Sequence, residues 1–179
     1  EHANAAQLAV PCTSCYSRLK FALYEIKQDN KLKADVEEII RSAFQGNIKV
    51  LHSLEVMTKL PADVLKKNVK LKIDHMKVVC YYGCLLTRPP KVVNFDDVEC
   101  PTTMDKILEN VGIEVLDWSY KTDCCGAAFA LSETDAVLTL TQKILKNAIE
   151  VGANAIAVAC PLCHANLDTR QTDINAKYN

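Results

Sequence analysis

Apolar residues along this chain alternate between short continuous runs, which are typical of buried strands, and longer stretches at helical spacing. The first half predicts a strand at 5–11, followed by helices at 19–26 and 32–44. A short strand or extended connection is predicted at 48–57, and then a third helix with Pro61 near its first position. Gly46 is expected to end the second helix, because glycine readily adopts the left-handed conformation that follows a helix.

The second half repeats this alternation with clearer strands. It predicts a strand at 78–83 followed by a helix at 104–111, and a strand at 113–118 followed by a helix at 132–152. A third strand at 155–159 is followed directly by the last helix. Thr102 or Thr103 is expected to cap the first of these helices, and Ser132 with Asp135 to form a variant of the capping box for the second. The alternation favours an α/β fold with a mostly parallel sheet flanked by helices on both faces.

Composition narrows the possible partners more than it narrows the fold. The chain has 49% hydrophobic residues, 24% charged residues and a formal net charge of −1. Such a balanced charge gives no electrostatic reason to expect nucleic acid or an anionic membrane as partner. No apolar run approaches the roughly 20 residues that a membrane-spanning helix requires. The lysine-rich stretch 66–77 is expected to be a solvated surface, with a docking face as the alternative.

Nine cysteines in 179 residues raise the question of disulfides. Three features argue for metal-bound thiols instead. The number is odd, the chain is long enough to fold without cross-links, and its opening EHANAAQ lacks the regions of a secretory signal peptide. Because disulfides persist mainly in oxidising compartments, the sequence predicts a reducing, cytoplasmic setting.

Five of the cysteines form the pattern around which the chain is organised, at separations of 40, 1, 35 and 3 residues: Cys84, Cys124, Cys125, Cys160 and Cys163. Each group follows a predicted strand, and the carboxyl ends of parallel strands meet at one edge of a sheet, so the five thiols are expected to converge. Five ligands exceed the four of a structural zinc site, and adjacent cysteines do not comfortably supply two of its corners. A cluster of several metal ions is therefore favoured. Zinc held by a four-ligand subset, such as Cys84, Cys124, Cys160 and Cys163, is the alternative.

An internal repeat relates the two ends of the chain. AVPCTSCYSRL at 9–19 and AVACPLCHANL at 157–167 align without gaps and share both cysteines and the flanking Ala, Val and Leu. We therefore expect residues 1–70 to hold the tail of a first cysteine unit plus a helical connection. Residues 71–179 are expected to form a complete second unit.

The first unit lacks three of its expected cysteines. They are expected to precede residue 1 in a longer protein, to have been lost, or to come from another chain. Cys12 and Cys15 are accordingly a partial first metal site, or else two free thiols or a local disulfide.

Several local sequences together resemble the CCG-domain family of cysteine-rich proteins, which includes the B subunit of heterodisulfide reductase: YYGC at 81–84, Arg88-Pro89, Phe95-Asp96-Asp97, DCCG at 123–126 and CPLCHANLD at 160–168. The resemblance implies two CCG units, each with a noncubane [4Fe–4S] cluster, that reductively split a small disulfide, in methanogens that of coenzyme M and coenzyme B. On this chain it makes the five cysteines the ligands of the second cluster. Cys12 and Cys15 correspond to the CxxC of the first.

The same resemblance implies an oxidoreductase subunit that works within a heterodisulfide-reductase-like complex. Because the chain has no GxGxxG fingerprint for a flavin or nicotinamide, its electrons are expected from iron–sulfur and flavin subunits of that complex. Two alternatives stay open. One is an electron-transfer or anchoring subunit of a succinate, fumarate, glycolate or lactate oxidoreductase, and the other is a structural zinc domain that mediates assembly.

Residues near the motif carry further expectations. His164 is a candidate for moving a proton to a departing thiolate, although packing at a helix N-terminus is favoured. Arg88 is a candidate for binding an anionic part of a substrate, with anchoring of its loop as the alternative. Cys80 and Cys100 are expected to be small buried apolar residues outside the metal site. Gly126 is expected because a side chain after the paired cysteines would crowd the backbone against an inorganic core.

Overall fold

The computed structural model describes residues 5–71, 73 and 75–178. Its strands are β1 Gln7–Val10, β2 Lys49–His52, β3 Lys77–Tyr81, β4 Glu114–Val115 and β5 Ala155–Val158. Its α-helices are α1 Thr13–Gln28, α2 Asn30–Ile40, α3 Ser53–Met57, α4 Ala62–Lys67, α5 Cys84–Thr87, α6 Thr103–Asn110, α7 Thr134–Glu150, α8 Pro161–Thr169 and α9 Gln171–Tyr178. A short 3-10 helix, Ala127–Phe129, follows the paired cysteines.

Every strand pair in the described part of the chain is parallel. β1 pairs with β2, and β3 lies between β4 and β5 in a second sheet. Parallel strands of one sheet need crossover connections, and helices supply them here on the way from β1 to β2, from β3 to β4 and, across β3, from β4 to β5. The prediction of an α/β fold with mostly parallel strands is confirmed.

Helices cover both faces of the sheet around β3, as predicted. Successive side chains of a strand point to opposite faces. Val79 and Tyr81 pack with buried residues of α7 and α8. Cys80, which is fully buried, packs on the other face with residues of α1, α3 and α6, and is confirmed as a core residue.

The second helix ends earlier than its apolar pattern predicts. α2 stops at Ile40, Arg41 adopts the left-handed conformation with φ 52°, and Gly46 lies in the loop that follows. The Glu37 carboxylate accepts a hydrogen bond from the Phe44 amide at 2.9 Å, which turns the chain back on the helix. The prediction that Gly46 ends this helix is wrong, because a side chain seven residues upstream draws Phe44 into a turn.

The N-terminus of α6 is capped from a distant position. Thr102 is its N-cap residue but makes no side-chain capping bond. Asp96 Oδ2 instead accepts hydrogen bonds from the Thr102 amide at 2.9 Å, the Thr103 amide at 2.8 Å and the Thr103 hydroxyl at 2.6 Å. The predicted cap by Thr102 or Thr103 is therefore replaced by a carboxylate from the preceding loop.

The capping box predicted for α7 is also wrong. The N-cap residue is Glu133, without a side-chain capping bond. The Ser132 amide donates to the Phe129 carbonyl and so continues the preceding 3-10 turn. Asp135 forms an ion pair with Lys177 of α9 at 2.7 Å, so its carboxylate serves contact between helices.

β4 is shorter than the strand predicted over 113–118. Only two residues pair with β3, and the Leu116 amide adds one more hydrogen bond to the Val78 carbonyl. Beyond that point the Trp118 indole Nε1 donates to the Cys80 carbonyl at 2.9 Å. A side chain thus takes the place of the backbone ladder and releases the chain toward the paired cysteines.

The described part of the lysine-rich stretch 66–77 is exposed, as predicted, apart from the half-buried Met76, whereas Lys72 and Asp74 lie outside the described residues. Pro61 is the N-cap residue of α4, next to its predicted place. None of the helices in the described ranges is both long and apolar enough to cross a bilayer. The division of the chain near residue 70 remains a prediction.

Asp96→Ala is expected to lower the free energy of unfolding by about 1–2 kcal/mol, because three donors at the start of α6 lose their acceptor. Burial favours a higher pKa for Asp96, but hydrogen bonds from Thr103 and its neighbours outweigh it and hold the pKa below 3.8. The stabilisation is therefore complete above that ordinary value and is lost as pH falls through the lower folded-state pKa. Urea unfolding between about pH 6 and pH 2 measures both effects.

Asp35→Ala is the matched control, because this exposed carboxylate makes no hydrogen bond to any described residue. It should change stability by less than about 0.5 kcal/mol. Equal losses in the two variants, or a loss at Asp96 that does not shrink at low pH, would show that Asp96 does not act as a charged cap.

Candidate metal centre

Three loops bring the five cysteines of the motif to one edge of the sheet. β3 and β5 run side by side with Tyr81 opposite Val158, so the segments that follow them leave the sheet together. The first segment passes through Gly83, with φ +71°, to Cys84 at the start of α5. The second reaches Cys160, which is the N-cap residue of α8. The loop after β4 delivers the paired cysteines.

All five cysteines line a single cavity of about 230 Å³. Residues of α1, α5, α8, the 3-10 helix and the turn before α5 complete its lining: Thr13, Ser14, Arg18, Gly83, Leu85, Ala127, Ala128 and Leu162. A water molecule in the liquid takes about 30 Å³, so this space suits a group of several atoms. Cys125, Cys160 and Cys163 are buried, whereas Cys124 is exposed. The predicted convergence is therefore present, with buried sulfur atoms deep in the cavity and exposed side chains at its mouth.

The thiols of Cys84 and Cys124 are hydrogen-bonded to each other. This contact lowers the pKa of Cys124 to about 6, and the same contact, together with burial, raises the pKa of Cys84. The Gly126 amide also donates to Cys124 Sγ at 3.3 Å. One thiolate is thus stabilised on the exposed side of the cavity.

Cys163 is in hydrogen-bond contact with two other buried cysteines. Its thiol hydrogen-bonds to Cys125 and Cys160, which lowers the pKa of Cys125 to about 7 and that of Cys160 to about 5, and raises its own pKa. Cys160 gains further stabilisation from backbone amides, which include Ser14 of α1. Because thiolates are the metal-binding form of cysteine, the protons shared between these sulfur atoms would be released when all five bind a metal.

The described side chains include no group of three or more His, Cys, Asp or Glu that stands ready to hold a metal ion. The sulfur atoms are instead joined in hydrogen-bonded sets. The donor set nevertheless suits a sulfur-rich metal group, since thiolates select iron–sulfur clusters and zinc, and no Asp, Glu or Lys lines the cavity within the described residues.

The paired cysteines depend on a glycine and on an amide side chain. Gly126 has φ +75°, and a Cβ there would lie 3.2 Å from side-chain atoms of Val137 and Leu140. The crowding that excludes a side chain therefore comes from α7, whereas the sequence suggested an inorganic core. Asn166 Nδ2 donates to the Cys125 carbonyl at 3.1 Å and lies 3.8 Å from Cys125 Sγ.

A buried polar network holds the loop before the paired cysteines. The Lys121 carbonyl accepts hydrogen bonds from the amides of Tyr82 at 2.8 Å and Gly83 at 3.1 Å. Lys121 Nζ pairs with Asp105 at 2.8 Å, and the Tyr82 hydroxyl donates to the same carboxylate. These residues were not expected from the sequence, because nothing local relates Asp105 to the cysteine motif.

The first CxxC has the same local geometry as the second. Cys12 is the N-cap residue of α1 with φ −123° and ψ 118°, and Cys160 is that of α8 with φ −134° and ψ 122°. Cys12 and Cys15 are hydrogen-bonded to each other, and burial raises the pKa of Cys12. Neither lines the cavity of the five cysteines.

The two CxxC segments are joined through the Ala159 carbonyl. Thr13 Oγ1 donates to it at 2.9 Å, and His52 Nε2 lies 3.2 Å away. The Leu54 amide donates to His52 Nδ1, so Nε2 carries the proton that the carbonyl accepts. This buried histidine was also missed by the sequence analysis, since no motif marks it.

The remaining predicted residues lie outside the cavity. Arg88 bonds to Glu99 at 2.7 Å and to the Thr122 carbonyl at 3.0 Å, which favours its role as a loop anchor. His164 is exposed and lines a separate groove beside α7 and α9. Cys100 is exposed, so the expectation that it is buried is wrong, because its loop turns on hydrogen bonds to Asp97 at the surface.

Comparison with known proteins agrees with this geometry. The sequence model of the CCG cysteine-rich domain family matches residues 78–168, just over half of the chain. The matched part begins in β3, ends in α8 and includes all five cavity cysteines, whereas Cys12 and Cys15 precede it.

Three relatives are similar over almost the whole chain. The B subunit of the ferredoxin:CoB-CoM heterodisulfide reductase of Methanosarcina mazei is 31% identical over 173 residues, which are 93% of this chain and 57% of that protein. The B subunit of the ferredoxin/F(420)H(2)-dependent CoB-CoM heterodisulfide reductase of Methanosarcina acetivorans gives the same identity and shares. The 8-methylmenaquinol:fumarate reductase membrane anchor subunit of Wolinella succinogenes is 28% identical over 178 residues, 96% of this chain and 62% of that protein.

The chain spans less than two thirds of the length of each of these curated relatives. The family model matches residues 78–168, which include all five cavity cysteines. This match stands whatever the parts of the relatives outside the aligned region contain. On that match, this chain belongs to the CCG cysteine-rich domain family.

Proposed function

We propose that this chain binds an iron–sulfur cluster and acts as part of an oxidoreductase subunit in the two-electron reductive cleavage of a small disulfide. One observation carries the proposal: five cysteine side chains, delivered by three loops, line a single cavity. The two relatives named as B subunits of heterodisulfide reductases support the same activity. The substrate proposed is a disulfide of the kind formed between coenzyme M and coenzyme B.

The five cavity cysteines would hold the cluster. Ordinary [2Fe–2S] and [4Fe–4S] clusters take four cysteine ligands, so a fifth thiolate supports a noncubane [4Fe–4S] arrangement. When bound, such a cluster supplies electron transfer one electron at a time together with an iron that can bind sulfur.

Other residues of the chain would hold and tune these ligands. The Gly126 amide donates to Cys124, and Asn166 and backbone amides donate to the thiolates of Cys125 and Cys160. Hydrogen bonds to sulfur stabilise its anionic form and help to set the reduction potential of a bound cluster. Thr13 and Ser14 of α1 form part of the cavity wall and would shield a cluster there from solvent.

Reductive cleavage of a disulfide consumes two electrons and two protons and gives two thiols. The proposal therefore includes a second cluster, at a site to which Cys12 and Cys15 contribute, and partner subunits that deliver electrons through their own iron–sulfur and flavin groups. The matching backbone conformation of the two CxxC segments supports this arrangement. Free thiols and a cluster of this kind also favour a reducing compartment, and we propose the cytoplasm.

A second candidate function is electron transfer within a fumarate reductase complex. The relative from Wolinella succinogenes, a membrane anchor subunit of such an enzyme, favours it. In that case the same cysteines hold the cluster, but no disulfide is cleaved. Activity with a disulfide, measured with the partner subunits present, separates the two candidates.

Replacing any one of the five cavity cysteines by serine is expected to remove most of the iron and sulfide that the chain takes up under anaerobic conditions. Serine keeps the size of the side chain but lacks the thiolate that iron prefers. Iron analysis, acid-labile sulfide and visible absorption measure the outcome.

Cys100→Ser is the matched control, because this thiol is exposed and lies outside the cavity. It should keep the full cluster content. Binding of zinc alone by the unmodified chain would instead support the structural zinc alternative, and retention of iron by all five serine variants would contradict the assigned ligand set.

The double variant Cys12→Ser/Cys15→Ser is expected to keep the iron and sulfide of the cavity cluster. Neither residue lines the cavity, and serine preserves the helix start that supplies the Ser14 amide to Cys160. The same metal analysis tests this. Loss of all iron from the double variant would mean that the two CxxC segments form one site.

A further inference from the structure

Arg18 stands out among the residues that line the cysteine cavity. It lies in the second turn of α1, and its side chain is exposed. Within the described residues, it is the only charged side chain that lines this cavity. It forms no hydrogen bond or ion pair to any described residue, so no carboxylate of that part of the chain neutralises it.

Arginines elsewhere around the site are already occupied. Arg88 pairs with Glu99 and bonds to Thr122. Arg170 bonds to Asn166 Oδ1 at 3.2 Å and to the Ala130 carbonyl at 2.8 Å. Arg18 differs from these two arginines because all of its N–H donors are available to bind a ligand.

The internal repeat places Arg18 at the position that Asn166 occupies in the second copy. Arg18 follows the first cysteine of its CxxC by six residues, as Asn166 does in the second copy. Asn166 uses a neutral amide to hold Cys125. The first copy has a cation instead, and that cation faces the cavity of the second copy.

The rest of the mouth is apolar. Leu85 and Leu162 are exposed to 40% and 50%, and Ala127 and Ala128 complete the wall. Such a mouth suits a ligand with an apolar body and one charged end. The planar guanidinium matches the oxygen atoms of a carboxylate, sulfonate or phosphate, often through two parallel hydrogen bonds.

We propose that Arg18 is a specificity-determining residue that binds an oxyanion of the substrate, so that the cavity selects small disulfides that carry negative charge. The inference rests on the proposed function, because it names the class of substrate for the same site. Arg18 would fix one end of the ligand at the mouth while a sulfur atom reaches the cysteines below.

Thiol–disulfide exchange in the cluster-free full chain tests the preference without depending on redox activity. A cysteine thiolate attacks one sulfur of the reagent, a mixed disulfide forms, and the other half leaves as a thiolate. The probes are dithiodipropionate, which is a dianion, hydroxyethyl disulfide, which is neutral, and cystamine, which is a dication. Mass spectrometry of peptides gives the rate at which Cys124 loses its free thiol, relative to that at Cys100, which serves as the reference thiol outside the cavity; this counts both the mixed disulfide and any protein disulfide formed when a neighbouring thiol displaces the second half of the reagent.

Arg18→Gln should slow exchange of dithiodipropionate at Cys124 by about tenfold at low ionic strength, and less at high salt. Exchange of hydroxyethyl disulfide should stay within about twofold, because a neutral reagent does not experience the lost charge. Arg18→Glu should slow the dianion further and speed cystamine. Lys20→Gln, the same charge change on the same helix at a residue that lines another groove, should leave all three relative rates unchanged.

An equal change for the neutral and the anionic reagent, or none for either, would overturn the assignment of Arg18. The cluster measurements keep this outcome apart from failure of the proposed function. A chain that takes up no iron but keeps the Arg18-dependent preference would refute the proposed function and support the oxyanion subsite. A chain that takes up iron but shows no charge preference would support the proposed function and refute the oxyanion subsite.

Discussion

Parallel pairing of β3 with β5 is the constraint on which the cysteine site depends. Tyr81 stands opposite Val158, so the chain leaves both strands at the same level and places Cys84 and Cys160 on one edge. A slip of one residue would shift one loop by about 3.3 Å and turn every side chain of that strand to the other face. Burial of Val79 and Tyr81 against α7 and α8 opposes such a slip, because Val78 and Cys80 would take their place and fill that core poorly.

Gathering five thiols in one place has an electrostatic cost, since neighbouring thiolates repel one another. The chain limits this cost by sharing protons between sulfur atoms and by directing backbone amides at Cys160. The loop that carries the paired cysteines is fixed from behind by Lys121, whose carbonyl bonds to two amides after β3 and whose ammonium pairs with Asp105. Loss of the Lys121 ammonium would leave the buried Asp105 carboxylate without its cationic partner, so the network resists loosening of the loop.

The strand–helix alternation and the convergence of the five cysteines could be predicted, because both follow from the spacing of apolar residues within each segment. Apolar spacing identifies each strand, and parallel topology then puts the following residues together. Side-chain contacts between distant segments could not be predicted. Asp96 caps a helix six residues away, Trp118 ends β4 by bonding to Cys80, and Arg18 reaches a cavity formed mainly by residues at least 65 positions later. In each case the local sequence permits several partners, and only the packed chain selects one.

The CxxC segment at the start of the chain is part of the wall of the second site. Thr13, Ser14 and Arg18 line the cavity, the Ser14 amide stabilises Cys160, and Thr13 with His52 satisfies the Ala159 carbonyl that precedes it. Removal of this segment would take away the Thr13 hydroxyl and the Ser14 amide from the buried groups that they bond, would leave the Ala159 carbonyl with His52 alone of these two donors, and would open this side of the cavity to water. A ligand in the cavity therefore touches both copies of the repeat at once. Under the proposed function, a substrate in the cavity would therefore be held by residues of both copies, with Arg18 from the first and the cysteines from the second.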